Sequence, residues 1–367
     1  MCNLSKFFRL NTSKLYTAIL ALFLSFTLSN AVAGGGEPGA KFDPGKMITD
    51  HIVDSYDWHL WGEGHSSVSI PLPVILYSSD RGLEVFASSH FHHGADVYNG
   101  YAIKDRRIVA VNETSGLAKD ATIDEVRTAG LWDISITKNV VSLFVSLILI
   151  FLLFTSVAKA YNARPGQAPR GLQGLIEPLV IFVRDDVVKT AIGEKKYMKF
   201  LPYLLTAFFF IWLNNLLGLV PFFPGGANLT GNISVTLVLA CITFIVVVIN
   251  GNKHYWHHIV AMPGVPAWVL VLLTPIEILG LFLRPFVLMI RLFANITAGH
   301  IIVLSFFSLI FIFGQMNAGA GFGVSVLSLA FTVFMTCLEL LVAFLQAYVF
   351  TLLSAVYIGA AVEEPHH

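Results

Sequence analysis

Five stretches of almost unbroken apolar residues, set apart by short polar runs, dominate the C-terminal part of this chain of 367 residues. "NVVSLFVSLILIFLLFTSVA" (Asn139–Ala158), "FLPYLLTAFFFIWLNNLLGLVPFF" (Phe200–Phe223) and "ISVTLVLACITFIVVVI" (Ile233–Ile249) each suit a single helical crossing, which takes about 20 residues. Two further stretches, near 267–313 and 322–361, exceed one perpendicular crossing. They predict strongly tilted or bent helices, joined as a hairpin by the loop Gly314–Gly321. In "GLQGLIEPLVIFVRDDVV" (Gly171–Val188) the apolar Leu172, Leu175, Leu179, Phe182 and Val183 recur at helical spacing. Glu177, Arg184 and Asp185 interrupt them, which predicts a helix at the membrane interface.

Before Asn139 the pattern changes. Lys6, Arg9 and Lys14 precede the apolar run Leu15–Leu28, and Ala31-Val32-Ala33 follows it, so residues 1–33 are expected to be a signal peptide. "SVSIPLPVILYSS" (Ser67–Ser79), "LEVFASS" (Leu83–Ser89) and "RIVAVNE" (Arg107–Glu113) predict short strands, with Ser79–Gly82 as a turn. The expected organisation is a signal peptide over 1–33, a small β-rich exported domain over 34–131 and a membrane domain over 132–364. In fold class this is an all-α membrane protein of five transmembrane helices plus an interfacial helix, ending in a long tilted hairpin.

Composition agrees with that picture. The chain is 56% hydrophobic and 13% charged, against roughly 25% charged in soluble domains. A net charge of zero carries no basic bias toward nucleic acid. The three cysteines, Cys2, Cys241 and Cys337, leave the exported region without a disulfide framework, and the latter two are expected to be buried. Loop charges orient the spans. Arg164, Arg170, Lys189, Lys195 and Lys196 mark 159–199 as cytoplasmic, whereas 224–232 and 314–321 carry no Lys or Arg. The N-terminal domain is then periplasmic and the C-terminus cytoplasmic.

The hairpin holds the candidate chemistry. Glu277, Arg284 and Arg291 recur every seven residues, which places them on one helix face, continued by Asn295 and Ala298. An alternative reading of Glu277 and Arg284 is a snorkelling pair near the inner interface. Arg291 lies far from either end of its stretch, where a charge costs about 2.5–3.5 kcal/mol on insertion scales. Its guanidinium keeps its proton, so it attracts carboxylates and relays nothing. No partner acid is evident in this chain, which points to a carboxylate on another subunit. His300 turns to the opposite face. Glu339 and Gln346, seven apart on the second helix, put Glu339 at the depth of His300, with the Tyr348 hydroxyl as a further candidate partner.

These residues carry a resemblance. "RLFANITAGHII" (Arg291–Ile302), "ELLVAFLQAYVFTLLSAVYI" (Glu339–Ile358) and "NLLGLVP" (Asn215–Pro221) are similar to three motifs of subunit a of F-type ATP synthases, in the same order. The resemblance implies a proton-translocating stator subunit that packs against a rotating c-subunit ring, with b-type peripheral stalk subunits and the rest of the F1Fo complex as partners. It implies no cofactor and no metal, and residence in the bacterial inner membrane. Arg291 matches the arginine that separates two half-channels. Asn295, His300, Glu339 and Gln346 match the outer one and Glu277 the inner one, while Arg284, Asn232 and Tyr348 are supporting positions. His300 and Glu339 stand exchanged relative to many bacterial members.

No nucleotide-binding loop is present, so the chain is expected to make no ATP on its own. A self-contained secondary ion-coupled transporter is the alternative reading, but the internal repeats usual in those folds are not apparent. In the N-terminal domain His51, His59, His65, His90, His92 and His93 include the run "HFHHG", whose spacing matches no closed metal site.

Overall fold

The computed structural model describes residues 43–61, 68–220, 225–260, 262 and 265–363. The expected signal peptide with Cys2, the histidine at 65 and the end of the second expected span (221–223) lie outside the described residues. The chain divides into two units, one containing Ser55–Lys138 and the other Phe42–Asp54, Asn139–Val220 and Pro224–His367. Helix α1 (Pro44–Ile52), with His51 in its last turn, therefore groups with the helical unit, where it packs on the first helix of the hairpin.

Among the described residues the other unit is built from three small antiparallel sheets. Strands β1 (Asp57–Trp61) and β2 (Val68–Pro71) pair as a ribbon. The expected strand over 67–79 is thus two strands that break at Leu72, and β3 (Pro73–Ser78) turns to pair with β4 (Gly82–Ala87) through the predicted turn. A 3-10 segment (Ser88–Gly94) leads to β5 (Asp96–Tyr98), β6 (Tyr101–Lys104), β7 (Arg107–Ala110) and β8 (Ser115–Leu117), in the sheet order β7-β6-β5-β8. A single-turn α2 (Glu125–Ala129), capped by Asp124, precedes β9 (Leu131–Asp133), which joins β3 on its free side. The alternation of β3 sends Val74 and Leu76 into a core with Phe91, Tyr101 and Ile108. Burying a side chain of this size contributes about 1.5–3 kcal/mol. Within that core Tyr101 donates to the Glu84 carboxylate at 2.6 Å, and burial, followed by this bond, pushes its hydroxyl above the ordinary value.

The helical unit continues with α3 (Lys138–Ala163) and α4 (Leu172–Phe182). The helix of α4 widens into a π-helical stretch (Val183–Lys189) and ends in a last turn at Thr190–Ile192. Helices α5 (Tyr197–Leu219), α6 (Ile233–Asn250) and the short α7 (Lys253–Val260) follow. The hairpin is α8 (Ala267–Met316, 50 residues) and α9 (Ala318–Val362, 45 residues). Each spans on the order of 70 Å at 1.5 Å per residue, far beyond a hydrocarbon layer of about 30 Å, so both must cross steeply tilted or bent. Pro275 and Pro285 lie inside α8, where each removes a backbone donor. The expected loop 314–321 contracts to Asn317, whose side chain caps α9 by accepting from the Gly319 N–H at 2.8 Å.

Among the described residues, α3, α5, α6, α8 and α9 are long and apolar enough to cross a membrane. Their inward faces, including Leu204, Phe208 and Ile211 of α5, Leu288 and Leu292 of α8, and Ala347 and Ile358 of α9, form one core. Their outward faces leave large apolar side chains such as Phe151 and Trp268 uncovered, as a helix bundle in lipid does. Cys241 and Cys337 are free and exposed, contrary to the expectation of burial. In a membrane helix an apolar run does not mark the core, because the lipid-facing side is apolar as well.

Small residues set how closely the helices approach. A Cβ on Gly359 of α9 would overlap the backbone carbonyl of Ala191 at the end of the α4 stretch. Among the described residues the C-terminal end of α9 is tied by four hydrogen bonds, one of them from the Asn252 backbone N–H to the Ala361 carbonyl at 2.9 Å. Lys196 donates to the Val362 carbonyl at 2.8 Å, and the Asn252 amide donates to the carbonyls of Val362 and Glu363 at 2.9 and 3.3 Å.

Candidate functional site

The two faces of α8 differ as the heptad spacing predicts. Leu281, Leu288 and Leu292 are buried in the bundle. Beside that stripe Arg291, Ala294, Asn295 and Ala298 are exposed, although Leu292, the next residue, is only 1% exposed. Among the described residues no carboxylate forms an ion pair with Arg291. The small side chains at 294 and 298 leave room for a neighbouring surface to reach the guanidinium.

One turn pair earlier, Arg284 is held by aromatic groups. It donates to the Tyr255 hydroxyl of α7 at 3.5 Å and lies 5.7 Å from the ring centroid of Tyr357 on α9. No Glu277–Arg284 ion pair is present among the described residues; the Arg284 side chain lines a cleft together with Thr243, Leu281, Leu288 and Tyr357. Burial pushes the Tyr255 hydroxyl above its ordinary value, with Arg284 opposing that shift and the Glu277 carboxylate adding to it.

At the other end of the stripe three helices converge. The Glu339 carboxylate of α9 occupies the space where a Cβ on Gly299, the residue before His300 in the chain, would stand. An ideal Cβ on Gly218 of α5 would lie 3.7 Å from Nε2 of His300. Glu339 is partly buried, and Gln346, two turns on, is buried. Asn215 of α5, 3% exposed, ties these helices together. Its amide donates to the Ala343 carbonyl at 3.1 Å, and its Oδ1 accepts from Thr230 at 2.6 Å.

Four buried side-chain atoms have no hydrogen-bond partner among the described residues: Oγ1 of Thr297, Oγ1 of Thr332, Oδ1 of Asn214 and Nδ2 of Asn228. Sequence reasoning passed over Thr332, yet a signal was there, since Thr332, Glu339 and Gln346 are evenly spaced by seven on α9. Thr297 and Asn214 gave no such signal, because threonine and asparagine inside an apolar helix usually bond their own backbone.

Two supporting positions take structural parts. Asn232 is the N-cap of α6, its side chain accepting from the Ser234 N–H at 3.0 Å. The ring of Tyr348 rests on Phe182 with centroids 5.7 Å apart. In the β-rich unit the "HFHHG" histidines are engaged locally. Nδ1 of His92 is 2.8 Å from Asp96, Nδ1 of His93 is 3.1 Å from Asp57, and His90 stacks on Tyr98 at 4.2 Å.

Comparison with known proteins places the chain in a family. Residues 140–359 match the family described as ATP synthase A chain. Residues 47–134 match a domain family of unknown function. The chain is 47% identical over 236 residues to "ATP synthase subunit a 2" of Chlorobaculum tepidum, a stretch covering 63% of this chain and 64% of that one. It is 43% identical over 244 residues to "ATP synthase subunit a" of Chloroherpeton thalassium, covering 65% and 70% respectively. The corresponding protein of Myxococcus xanthus is 41% identical over 244 residues, covering 65% and 76%. The chain thus spans just under two thirds of the Chlorobaculum relative and somewhat more of the other two. With the family profile running through Arg291, His300 and Glu339, the chain belongs to the ATP synthase A chain family.

Proposed function

We propose that the protein is the proton-translocating stator subunit of the Fo sector of a rotary ATP synthase in the bacterial inner membrane. It lends two half-channels to a c-subunit ring and is held by b-type stalk subunits. The observation that carries this reading is Arg291, a permanent cation on an exposed helix face, flanked by Ala294 and Ala298 and unpaired with any described acid of its own chain. Such a group is suited to meet carboxylates that belong to a moving neighbour.

In this reading residues 1–33 are a leader, 34–131 an exported domain and 132–364 the membrane domain. The N-terminal domain is periplasmic and the C-terminus cytoplasmic. Protons enter along Asn295, His300, Glu339 and Gln346. The unpartnered oxygens of Thr297 and Thr332 support a wetted path there, since buried polar atoms in native proteins are satisfied by protein or by water. The proton neutralises a ring carboxylate, which rides round the ring and releases it toward Glu277. Arg291 favours the ionised form of each returning carboxylate, and because it holds its own proton it blocks a direct leak. Each charge crossing delivers about 2.3 kcal/mol per 100 mV. The chain carries out no ATP chemistry itself.

Arg291→Ala tests the assignment in inverted membrane vesicles of the assembled complex. ATP-driven proton pumping is expected to be abolished. Pumping at the normal rate would overturn the role given to Arg291.

A further inference from the structure

The β-rich unit carries an apolar face that its own core does not use. In the sheet β4-β3-β9 the register opposes Tyr77 to Leu83, Ile75 to Val85 and Tyr77 to Trp132. The pairing of β9 with β3 runs on past Asp133, since Ile134 donates to the Ile75 carbonyl at 2.9 Å and Ile136 to that of Pro73 at 3.1 Å. Side chains alternate across a sheet. Pro73, Ile75, Tyr77, Leu83, Val85, Ala87, Trp132, Ile134 and Ile136 therefore share one side, and none of them is charged. The opposite side supplies Val74, Leu76 and Phe86 to the core. The outward side is open: Trp132 is 69% exposed, Leu83 65%, Val85 61% and Ile134 60%. Three strands by three residues cover on the order of 300 Å², the scale at which an apolar patch marks an interaction site.

The chain itself says what lies near this face. Only Ile134–Thr137 separate β9 from Lys138, the first residue of the membrane helix α3. The apolar run of α3 begins at Val140. At about 3.5 Å per extended residue, Ile136 lies no more than about 14 Å from the hydrocarbon boundary and Ile134 about 20 Å. The face also pairs one tryptophan with one tyrosine across adjacent strands, the two side chains that settle at the headgroup level of a bilayer.

We infer that the Tyr77–Trp132 face of the β4-β3-β9 sheet rests on the lipid surface at the side where α3 enters the membrane. The occupant is lipid, since a face without a single charged residue offers a protein partner nothing to select by charge, and the tether keeps it beside the headgroups. The contact depends on membrane insertion alone, so it is independent of the proton path proposed above.

The test uses the full chain in phosphatidylcholine–phosphatidylglycerol vesicles, with Cys2, Cys241 and Cys337 replaced by serine. Spin labels are placed through Leu83→Cys or Val85→Cys and, as the solvent reference, Lys119→Cys. Collision with oxygen is expected to exceed collision with a water-soluble nickel chelate several-fold at 83 and 85, and the order is expected to reverse at 119. Labels at 83 and 85 that behave like the one at 119 would overturn the inference. So would labels shielded from both reagents, which would mean that protein covers the face. A second measurement needs no cysteine: acyl-chain-brominated lipids are expected to quench a component of the tryptophan fluorescence that Trp132→Phe removes. Equal quenching in the two chains would equally overturn it.

Discussion

The carboxylate of Glu339 fills the space that a side chain on Gly299 would take, one residue before His300. At this point α9 approaches α8 closely, with a polar group at the contact. The atom that an added methyl would meet is the far end of a flexible side chain, so the carboxylate can swing away at little cost to the fold.

Gly299→Ala is therefore expected to leave thermal stability nearly unchanged. It should slow passive proton conduction through the membrane sector by an order of magnitude or more, because misplacing a group by about 1 Å can cost about 100-fold in a step that depends on geometry. Conduction by stripped membrane vesicles measures the effect, and an unchanged rate would remove the Gly299–Glu339 contact from the proposed path.

Asn215 joins α5 to α9 through the Ala343 carbonyl and holds Thr230 in the segment before α6. Asn215→Leu keeps the volume and removes both bonds, leaving the Thr230 hydroxyl buried without its acceptor. A loss of about 1–3 kcal/mol is expected. It can be read as a lowered midpoint of thermal unfolding in detergent, and a midpoint equal to that of the parent chain would show that these bonds contribute nothing net.

Asn252 caps the end of α9 with two side-chain bonds to the carbonyls of Val362 and Glu363. Asn252→Ala should cost about 1 kcal/mol at that end, since the last carbonyls of a helix have no partner within it. The effect should be local. Amide exchange is expected to rise in the last turns of α9 and to stay constant around Glu339; a rise spread along the whole helix would contradict a capping role.

In the β-rich unit the Thr122 backbone N–H donates to the Glu113 carboxylate at 2.8 Å. That bond, first among its causes, holds the Glu113 carboxyl below its ordinary value. A carboxyl lowered in the folded state contributes stability above its unfolded value and loses it as the pH falls through the folded one. Protection of the segment around Thr122 is thus expected to decline on acidification. Glu113→Gln should be the less protected chain at neutral pH and should converge with the parent in acid. A difference that persists unchanged in acid would contradict the linkage.

The register of polar residues within the hairpin was legible from the sequence because a helix repeats nearly every seven residues. Glu277, Arg284 and Arg291 needed only that repeat to be placed on one stripe, and Glu339 with Gln346 on another. The end of the hairpin was less legible. The apolar runs stop before the helices do, and Asn317 alone makes the turn that eight residues were expected to make. The two cysteines were misjudged for the reason that a lipid-facing side chain and a core side chain are equally apolar.

By itself, then, the sequence determined the apolar spans, their order and the register of polar residues along the hairpin, because periodicity and hydropathy are local properties of a chain. Tertiary structure alone decided which partners those residues meet. It placed Arg284 beside Tyr255 and Tyr357, set Glu339 against Gly299, and left the Tyr77–Trp132 face uncovered. Each of these outcomes depends on the distance between helices or strands that are remote in sequence, and that distance follows from the packing of side chains on both partners at once.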